Sequence, residues 1–319
     1  MGDCRERLAE LDADSIDCCV TSPPYWGLRD YGEDAQIGLE PSPAEYVAEM
    51  VGVFREVRRV LKPEGTLWLN LGDSYAGSWG NQGRKAERGT QRPINGDMLT
   101  PVHDGRHPTT GSNTGAIPKG SGLKPKDLIG IPWRVAFGLQ DDGWWLRSDI
   151  IWAKRNPMPE SVKDRPTRAH EYVFLMTKSA RYAYNADAIA GDAATAPRQN
   201  ESGSYSQDSG RNDGKTHMSG GFANPGARRN ARDVWTFSAE PCPEAHFAVM
   251  PSKLAARCVA AGCPEGGTVI DPFAGAGTTG RVAVGMGRHF VGVELSAEYA
   301  EIARKRIRGV GGMFVQEVP

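Results

Sequence analysis

Six residues, Thr21-Ser22-Pro23-Pro24-Tyr25-Trp26, set a hydroxyl, a stiffened backbone and two aromatic rings side by side. They follow the apolar stretch Ile16 to Val20, which reads as a buried strand. Two consecutive prolines restrict the chain where that strand ends. The Ser22 hydroxyl and the Pro23 carbonyl then form a rigid polar claw, with Tyr25 as a stacking platform and Trp26 as a pocket wall. A flat ring carrying an amino group, such as a nucleobase, suits that device. The plainer alternative is a strand followed by a proline-rich turn.

A second run, far along the chain, bears on that choice. Asp271-Pro272-Phe273-Ala274-Gly275-Ala276-Gly277-Thr278-Thr279-Gly280 follows the short β-branched segment Gly267 to Ile270. A helical pattern over Arg281 to Gly287 comes next, then a strand pattern, His289 to Val293, ending on Glu294. Strand, glycine turn, helix, strand and acid is the mononucleotide-binding βαβ arrangement. Its glycines let the backbone approach a ligand, and its acid can accept hydrogen bonds from ribose hydroxyls.

These runs need a scaffold, and 319 residues suffice for one large α/β domain with insertions. No apolar run reaches membrane-spanning length, and the start lacks a signal-peptide pattern. Cysteines at 4, 18, 19, 242, 258 and 263 form no Cys-x-x-Cys pair. No metal site is therefore expected, and the pattern fits a reducing cytoplasm. Cys18 and Cys19 are expected as core thiols. The net charge is only −1, yet residues 151–232 carry 13 basic against 8 acidic side chains, whereas residues 1–75 carry 7 against 15. A basic middle fits a local anionic partner such as DNA, or simply a solvated surface.

Pro43 to Leu61 predicts an amphipathic helix, capped by Ser42 and stopped by Lys62-Pro63-Glu64-Gly65. Thr66 to Leu71 predicts a buried strand, Leu128 to Leu139 a helix, and Ala297 to Ile307 a final helix. Trp144 to Trp152 and Tyr172 to Met176 predict two strands, read as a late antiparallel pair. Residues 77–126 and 187–232 are rich in Gly, Asn, Ser and basic residues, and the second stretch could not build a core. Arg228, Arg229 and Arg232 cluster where the globular pattern returns, which makes them the expected phosphate contacts.

Together the two motifs resemble the β-class DNA amino-methyltransferases that use S-adenosylmethionine. That family's catalytic signature is Ser, Asp or Asn followed by Pro-Pro and an aromatic residue; its cofactor signature is Asp-x-Phe-x-Gly-x-Gly-Thr. The resemblance implies a Rossmann-like seven-stranded α/β sheet with one antiparallel strand, in circularly permuted order, with long basic loop insertions. It implies a catalytic half at 1–75 and 128–186, a flexible basic insertion at 76–127, a target-recognition segment at 187–232, a cofactor half at 233–308 and a tail at 309–319. Ser22, Pro23, Pro24 and Tyr25 carry over as the catalytic motif. Asp271, Phe273, Gly275, Gly277, Thr278 and Glu294 carry over as cofactor residues. Asp3, in a Gly-Asp pair, is placed at the adenine amino group, and His246 and Pro251 lie in a segment near the methionine end. Asn156-Pro157 resembles a loop close to a flipped base. Double-stranded DNA is the implied partner; a homodimer and a cognate restriction endonuclease stay open. Ser at the first motif position goes mostly with cytosine-N4, and Asp mostly with adenine-N6.

Other readings compete. Gly275-x-Gly277-x-x-Gly280 also satisfies the dinucleotide fingerprint of oxidoreductases. That unit normally opens its domain, however, and this reading leaves Ser22-Pro-Pro-Tyr unexplained. A non-enzymatic DNA-binding module accounts for the basic stretches and not for the glycine turn. RNA or a protein amide also remains open as the substrate.

Overall fold

The computed structural model describes residues 1–28, 33, 35–77, 91–94, 98–101, 122–192, 228–240, 242 and 249–311. The strands are β1 (Ile16–Thr21), β2 (Leu61–Leu71), β3 (Gln91–Ile94), β4 (Met98–Pro101), β5 (Trp145–Lys154) and β6 (His170–Thr177), followed by β7 (Gly191–Asp192), β8 (Arg228–Arg229), β9 (Val234–Phe237), β10 (Thr268–Asp271) and β11 (His289–Gly292). The helices are α1 (Cys4–Arg7), α2 (Pro43–Val60), α3 (Ile131–Asp141), α4 (Ser252–Gly262), α5 (Thr278–Gly285) and α6 (Ala297–Gly311). Seven strands form one sheet in the order β11-β10-β1-β2-β6-β5-β9. β6 runs antiparallel to both neighbours, β2 and β5, while the other adjacent pairs are parallel. The expected seven-stranded sheet with one antiparallel strand is therefore what the chain builds. β3–β4 and β7–β8 form separate two-stranded ribbons.

Alternation divides the core into two layers. Cys19, Leu67, Leu69, Leu71, Phe174 and Ile270 face Tyr46, Met50, Phe54 and Val57 of α2 and Val135 and Leu139 of α3. Cys18, Val20, Trp68, Val173 and Val269 face Leu254, Cys258 and Val259 of α4 and Ala283 of α5. Strands covered on both faces read as continuous apolar runs, which is how β1 and β2 looked in sequence. Cys18 and Cys19 are fully buried, and burial pushes both thiols well above their ordinary range. They remain neutral core groups.

Several boundaries differ from expectation for local reasons. The stop after α2 sits inside a strand: Ile16 pairs with Leu61 and Cys18 with Thr66, so Lys62–Gly65 bulge out of β2. A bulge tolerates Pro63, which cannot donate to the ladder. α3 starts at Ile131 rather than Leu128, because Gly130 adopts φ 76°. The Asp73 carboxylate then accepts from the amides of Gly130 (3.0 Å) and Ile131 (3.1 Å). α5 starts at Thr278, three residues before the periodic pattern, because Gly277 caps it with φ 73°. No helix among the described residues is long and apolar enough to cross a membrane.

α4 ends against β2 at one tight point. A Cβ on Gly262 would lie 2.2 Å from Trp68 Nε1 and 2.5 Å from Thr66 Oγ1. Gly262→Ala is expected to destabilise the fold by about 1–3 kcal/mol through overpacking. A urea titration checks this: the midpoint should fall with an unchanged slope, and an unchanged midpoint refutes the tight contact.

Candidate active site

Strand polarity decides where chemistry can sit. The carboxyl ends of β1, β2, β5, β10 and β11 and the amino end of antiparallel β6 reach the same edge of the sheet. A cavity of about 590 Å³ opens there, lined by both motifs at once. Ser22, Pro23, Pro24 and Tyr25 come from the β1 end, and Asp271, Phe273, Gly275 and Thr278 from the β10 turn. Glu294 follows β11, and Asp3 enters from the N-terminal segment. Ligands of open α/β sheets bind at such strand ends.

At the β1 end a neighbour fixes the proline loop. Tyr46 Oη donates to the Pro24 carbonyl at 2.8 Å. The Tyr25 ring lies against Gly72, where a Cβ would come within 2.5 Å of Cε2. Its hydroxyl donates to Glu171 Oε2 at 2.7 Å and accepts from Asn70 Nδ2 at 3.0 Å. Ser22 Oγ lies 3.4 Å from the same hydroxyl. Burial, and then the Glu171 charge, pushes the Tyr25 phenol well above its ordinary value, so it keeps its proton. Lys154 pairs with Glu171, and its ammonium sits 4.9 Å from the Trp152 ring centre.

The β10 end is built around two buried carboxylates. Asp271 is 4% exposed and accepts from Thr21 Oγ1 at 2.6 Å and the Phe273 amide at 3.0 Å. Glu294 accepts from the amides of Gly275 (2.7 Å) and Ser296 (2.9 Å), one on each oxygen. Each oxygen keeps a lone pair for a further donor. Burial raises the pKa of Glu294 and pushes that of Asp271 up to about 6. A Cβ on Gly275, at φ 50°, would meet nothing closer than Phe273 O at 3.9 Å. The turn therefore leaves open space beside the acids. Arg306 bonds the Ala276 carbonyl and, at 3.4 Å, Thr278 Oγ1, which fixes the far side of the turn.

The other expected site residues fall in different places. Asp3 reaches the cavity because the Gly2 amide bonds the Glu294 carbonyl at 2.9 Å. Its carboxylate also caps α1 and pairs with Arg5, which holds its pKa below the ordinary range. Trp26 corrects an expectation. It is 2% exposed in the core under α2, with its indole N–H on the Glu40 carbonyl at 2.9 Å, and does not wall the cavity. Asn156 and Pro157 stand just beyond the lining, which includes Lys154 and Met158 on either side of them. Asn156 Oδ1 accepts from the Ala239 amide at 2.9 Å and so ties down a segment at the rim. Pro251 is the N-cap of α4, behind the lining residues Val249 and Met250. His246 lies outside the described residues, as does most of 76–127 and 187–232. Arg228 and Arg229 form β8, and Arg229 and Arg232 are exposed. No cluster of potential metal ligands occurs among the described residues.

Asn70, Lys154 and Glu171 were not anticipated. Asn70 had a legible signal: it is a single amide within Leu67-Trp68-Leu69-Asn70-Leu71, and it is 1% exposed. A buried polar group in an apolar strand needs partners, and here they are the site itself. Lys154 and Glu171 are 17 residues apart, and only the antiparallel pairing of β5 and β6 brings them together.

The buried acid makes a stability prediction. Folded Asp271 titrates near 6, against an ordinary 3.8. The folded ligand-free state thus binds this proton more readily than the unfolded chain does. Its contribution to stability is full below about pH 4 and is lost as pH rises through about 6. Asp271→Asn, which cannot ionise, is expected to raise the Tm of the ligand-free protein at pH 7.5 and to change it little at pH 4.5. Calorimetric scans at the two pH values check this, and a lowered Tm at pH 7.5 refutes it.

Comparison with known proteins gives a consistent answer. Residues 16–305 match the DNA methylase family of N6 and N4 enzymes. Type II methyltransferase M.SmaI of Serratia marcescens is 44% identical over 307 residues, covering 96% of this chain and 89% of that protein. Type II methyltransferase M.Cfr9I of Citrobacter freundii is 44% identical over 308 residues, covering 97% and 86%. Among solved structures, the cytosine-N4-specific PvuII DNA methyltransferase superposes with a TM-score of 0.61 at 17% identity, over 100% of this chain and 86% of that one. A putative DNA modification methylase of Thermus thermophilus, TTHA0409, complexed with S-adenosyl-L-methionine, gives 0.59 at 22% identity, over 100% and 98%. Both solved structures share this fold. With the family matched from β1 to α6 and both motifs meeting in one cavity, the chain belongs to the DNA methylase family.

Proposed function

We propose that this DNA methyltransferase takes its methyl group from S-adenosylmethionine and delivers it to the N4 amino group of a cytosine flipped out of duplex DNA. The observation that carries the reading is the shared cavity: the Ser22-Pro-Pro-Tyr25 claw and the Asp271–Glu294 turn line one space. Its wall carries Asp3, Glu33, Glu171, Asp271 and Glu294 against the single cation Lys154, counted among the described lining residues. That negative field suits a cationic cofactor.

Bound S-adenosylmethionine supplies an electrophilic methyl group on a sulfonium. Glu294 holds the ribose hydroxyls through its remaining lone pairs, oriented by the Gly275 and Ser296 amides. Gly275 leaves room for the ligand, and Phe273 and Asp271 line the space that would hold it. On the DNA side the target must leave the stack, because its amino group is inaccessible within a duplex. Tyr25 stacks against the flipped ring. Ser22 Oγ and the Pro23 carbonyl accept from the amino group and turn its lone pair toward the methyl carbon. The serine favours cytosine over adenine because, among the enzymes this motif resembles, Ser at its first position goes mostly with cytosine-N4 and Asp mostly with adenine-N6. The type II names of M.SmaI and M.Cfr9I support a place beside a cognate restriction endonuclease. Residues 187–232 serve as the target-recognition segment, with Arg228, Arg229 and Arg232 on phosphates.

Four measurements test this. Glu294→Ala removes charge-assisted hydrogen bonds of about 1.5–3 kcal/mol each. It should weaken S-adenosylmethionine binding at least about tenfold by calorimetry with the fold intact; unchanged affinity refutes the assignment. Ser22→Ala should abolish most turnover and leave cofactor affinity unaltered. Mass spectrometry of nucleosides from DNA methylated by the native protein should show N4-methylcytosine; methyladenine as sole product refutes the cytosine reading. Neutralising Arg228, Arg229 and Arg232 together should weaken DNA binding and flatten its salt dependence. An unchanged salt slope shows these arginines to be merely solvated.

A further inference from the structure

The proposed reaction leaves a proton without a destination. The amino nitrogen forms a bond to the methyl carbon with its lone pair, the sulfur–carbon bond breaks with its pair going to sulfur, and the nitrogen is left with one proton in excess. Ser22 can take that proton only by giving up its own.

The hydrogen bonds at the β1 end lead from Ser22 to one carboxylate. Ser22 Oγ donates toward Tyr25 Oη at 3.4 Å, and Tyr25 Oη donates to Glu171 Oε2 at 2.7 Å. Asn70 Nδ2 donates to both, at 3.0 Å and 2.8 Å. The tyrosine hydroxyl thus accepts twice and donates once, which is its whole capacity. Its proton has one direction, toward Glu171. Lys154 holds the other carboxylate oxygen, Oε1. Of the other lining acids, Asp271 is engaged by Thr21 and the Phe273 amide, Glu294 by backbone amides, and Asp3 by Arg5. The 3.4 Å step is long for two hydroxyls, as catalytic hydrogen bonds commonly are before substrate tightens them.

We propose that Glu171 is the terminal acceptor of the proton lost by the target amine, reached through Ser22 and Tyr25. Ser22 Oγ takes the proton from nitrogen as its own passes to Tyr25 Oη, and the tyrosine's proton passes to Glu171 Oε2. Serine and tyrosine end as they began, the carboxylate becomes a neutral acid, and that acid releases its proton to water before the next turnover. The inference rests on the amino-methylation reading above. Glu171 acts through Tyr25 and not on the base, so its test needs a readout that packing alone does not move.

Single-turnover rates of the single and double variants, measured with full-length protein, tritiated S-adenosylmethionine and excess unmodified genomic DNA, provide that test. Glu171→Gln should lower the rate about 10²-fold, within the range of general base effects. It should leave the calorimetric Kd for S-adenosylmethionine within twofold. Tyr25→Phe, which keeps the ring and cuts the relay, should cost as much, and the double variant no more than either single one. A Glu171→Gln protein that keeps more than a third of the native rate, or a double variant that loses the product of the two single effects, overturns the relay. So does a fully active Tyr25→Phe protein, which decides the matter if Glu171→Gln does not fold. Native protein that transfers no methyl group to DNA overturns the amino-methylation reading itself.

Discussion

β1 and β10 lie side by side in register, Cys18 against Val269 and Cys19 against Ile270. Just past those pairs, the Thr21 hydroxyl reaches the Asp271 carboxylate at 2.6 Å across 250 residues of sequence. Every other feature of the site depends on that pairing. It sets the Pro-Pro loop next to the glycine turn, so a single cavity serves two ligands. It also buries the carboxylate, which is costly in isolation and tolerable because a hydroxyl and an amide answer it. The loss is local and the gain is an anionic wall aimed at the neighbouring strand end.

Around Tyr25 the low dielectric works in the opposite sense. Ser22, just past the end of β1, meets Asn70, Glu171 and Lys154 of β2, β6 and β5, four adjacent positions across the sheet. No two of the last three share an element, so their mutual orientation is a property of the sheet and not of any loop. Hydrogen bonds that share partners in this way reinforce one another, and a missing member leaves a buried group unsatisfied. Rigid strands are better supports for such a cluster than loops are. Asp73, two residues beyond the end of β2, repeats the principle by capping α3 through Gly130 and Ile131.

The sequence was most legible where local pattern and chemistry coincide. α2 showed its apolar stripe and its Ser42 cap, and the structure has both. The Ser22-Pro-Pro-Tyr25 and Asp271–Gly277 runs carried rigid or left-handed backbone that only prolines and glycines supply. Legibility failed in two ways. Trp26 looked like a pocket wall because it adjoins the motif, but the chain turns after Tyr25 and buries the indole under α2. Adjacency in sequence does not fix direction after a proline pair. Lys154 and Glu171 looked like ordinary charges because their meaning lies in the β5–β6 register, Trp152 against Glu171 and Ala153 against His170. No window along a single strand contains that information.

The same pairing that makes the site sets the order in which the chain can mature. β1 is flanked by β2, complete by residue 71, and by β10, which ends at residue 271. On the ribosome one edge of β1 therefore has its neighbour early, and the other waits for about two hundred further residues. During that interval Cys18, Val20 and the backbone of β1 lack α4 and β10 as cover, and a parallel partner so distant is slow to find. A chain made only as far as β9 lacks the glycine turn and Glu294, so the cavity is incomplete until β10 and β11 have joined the sheet.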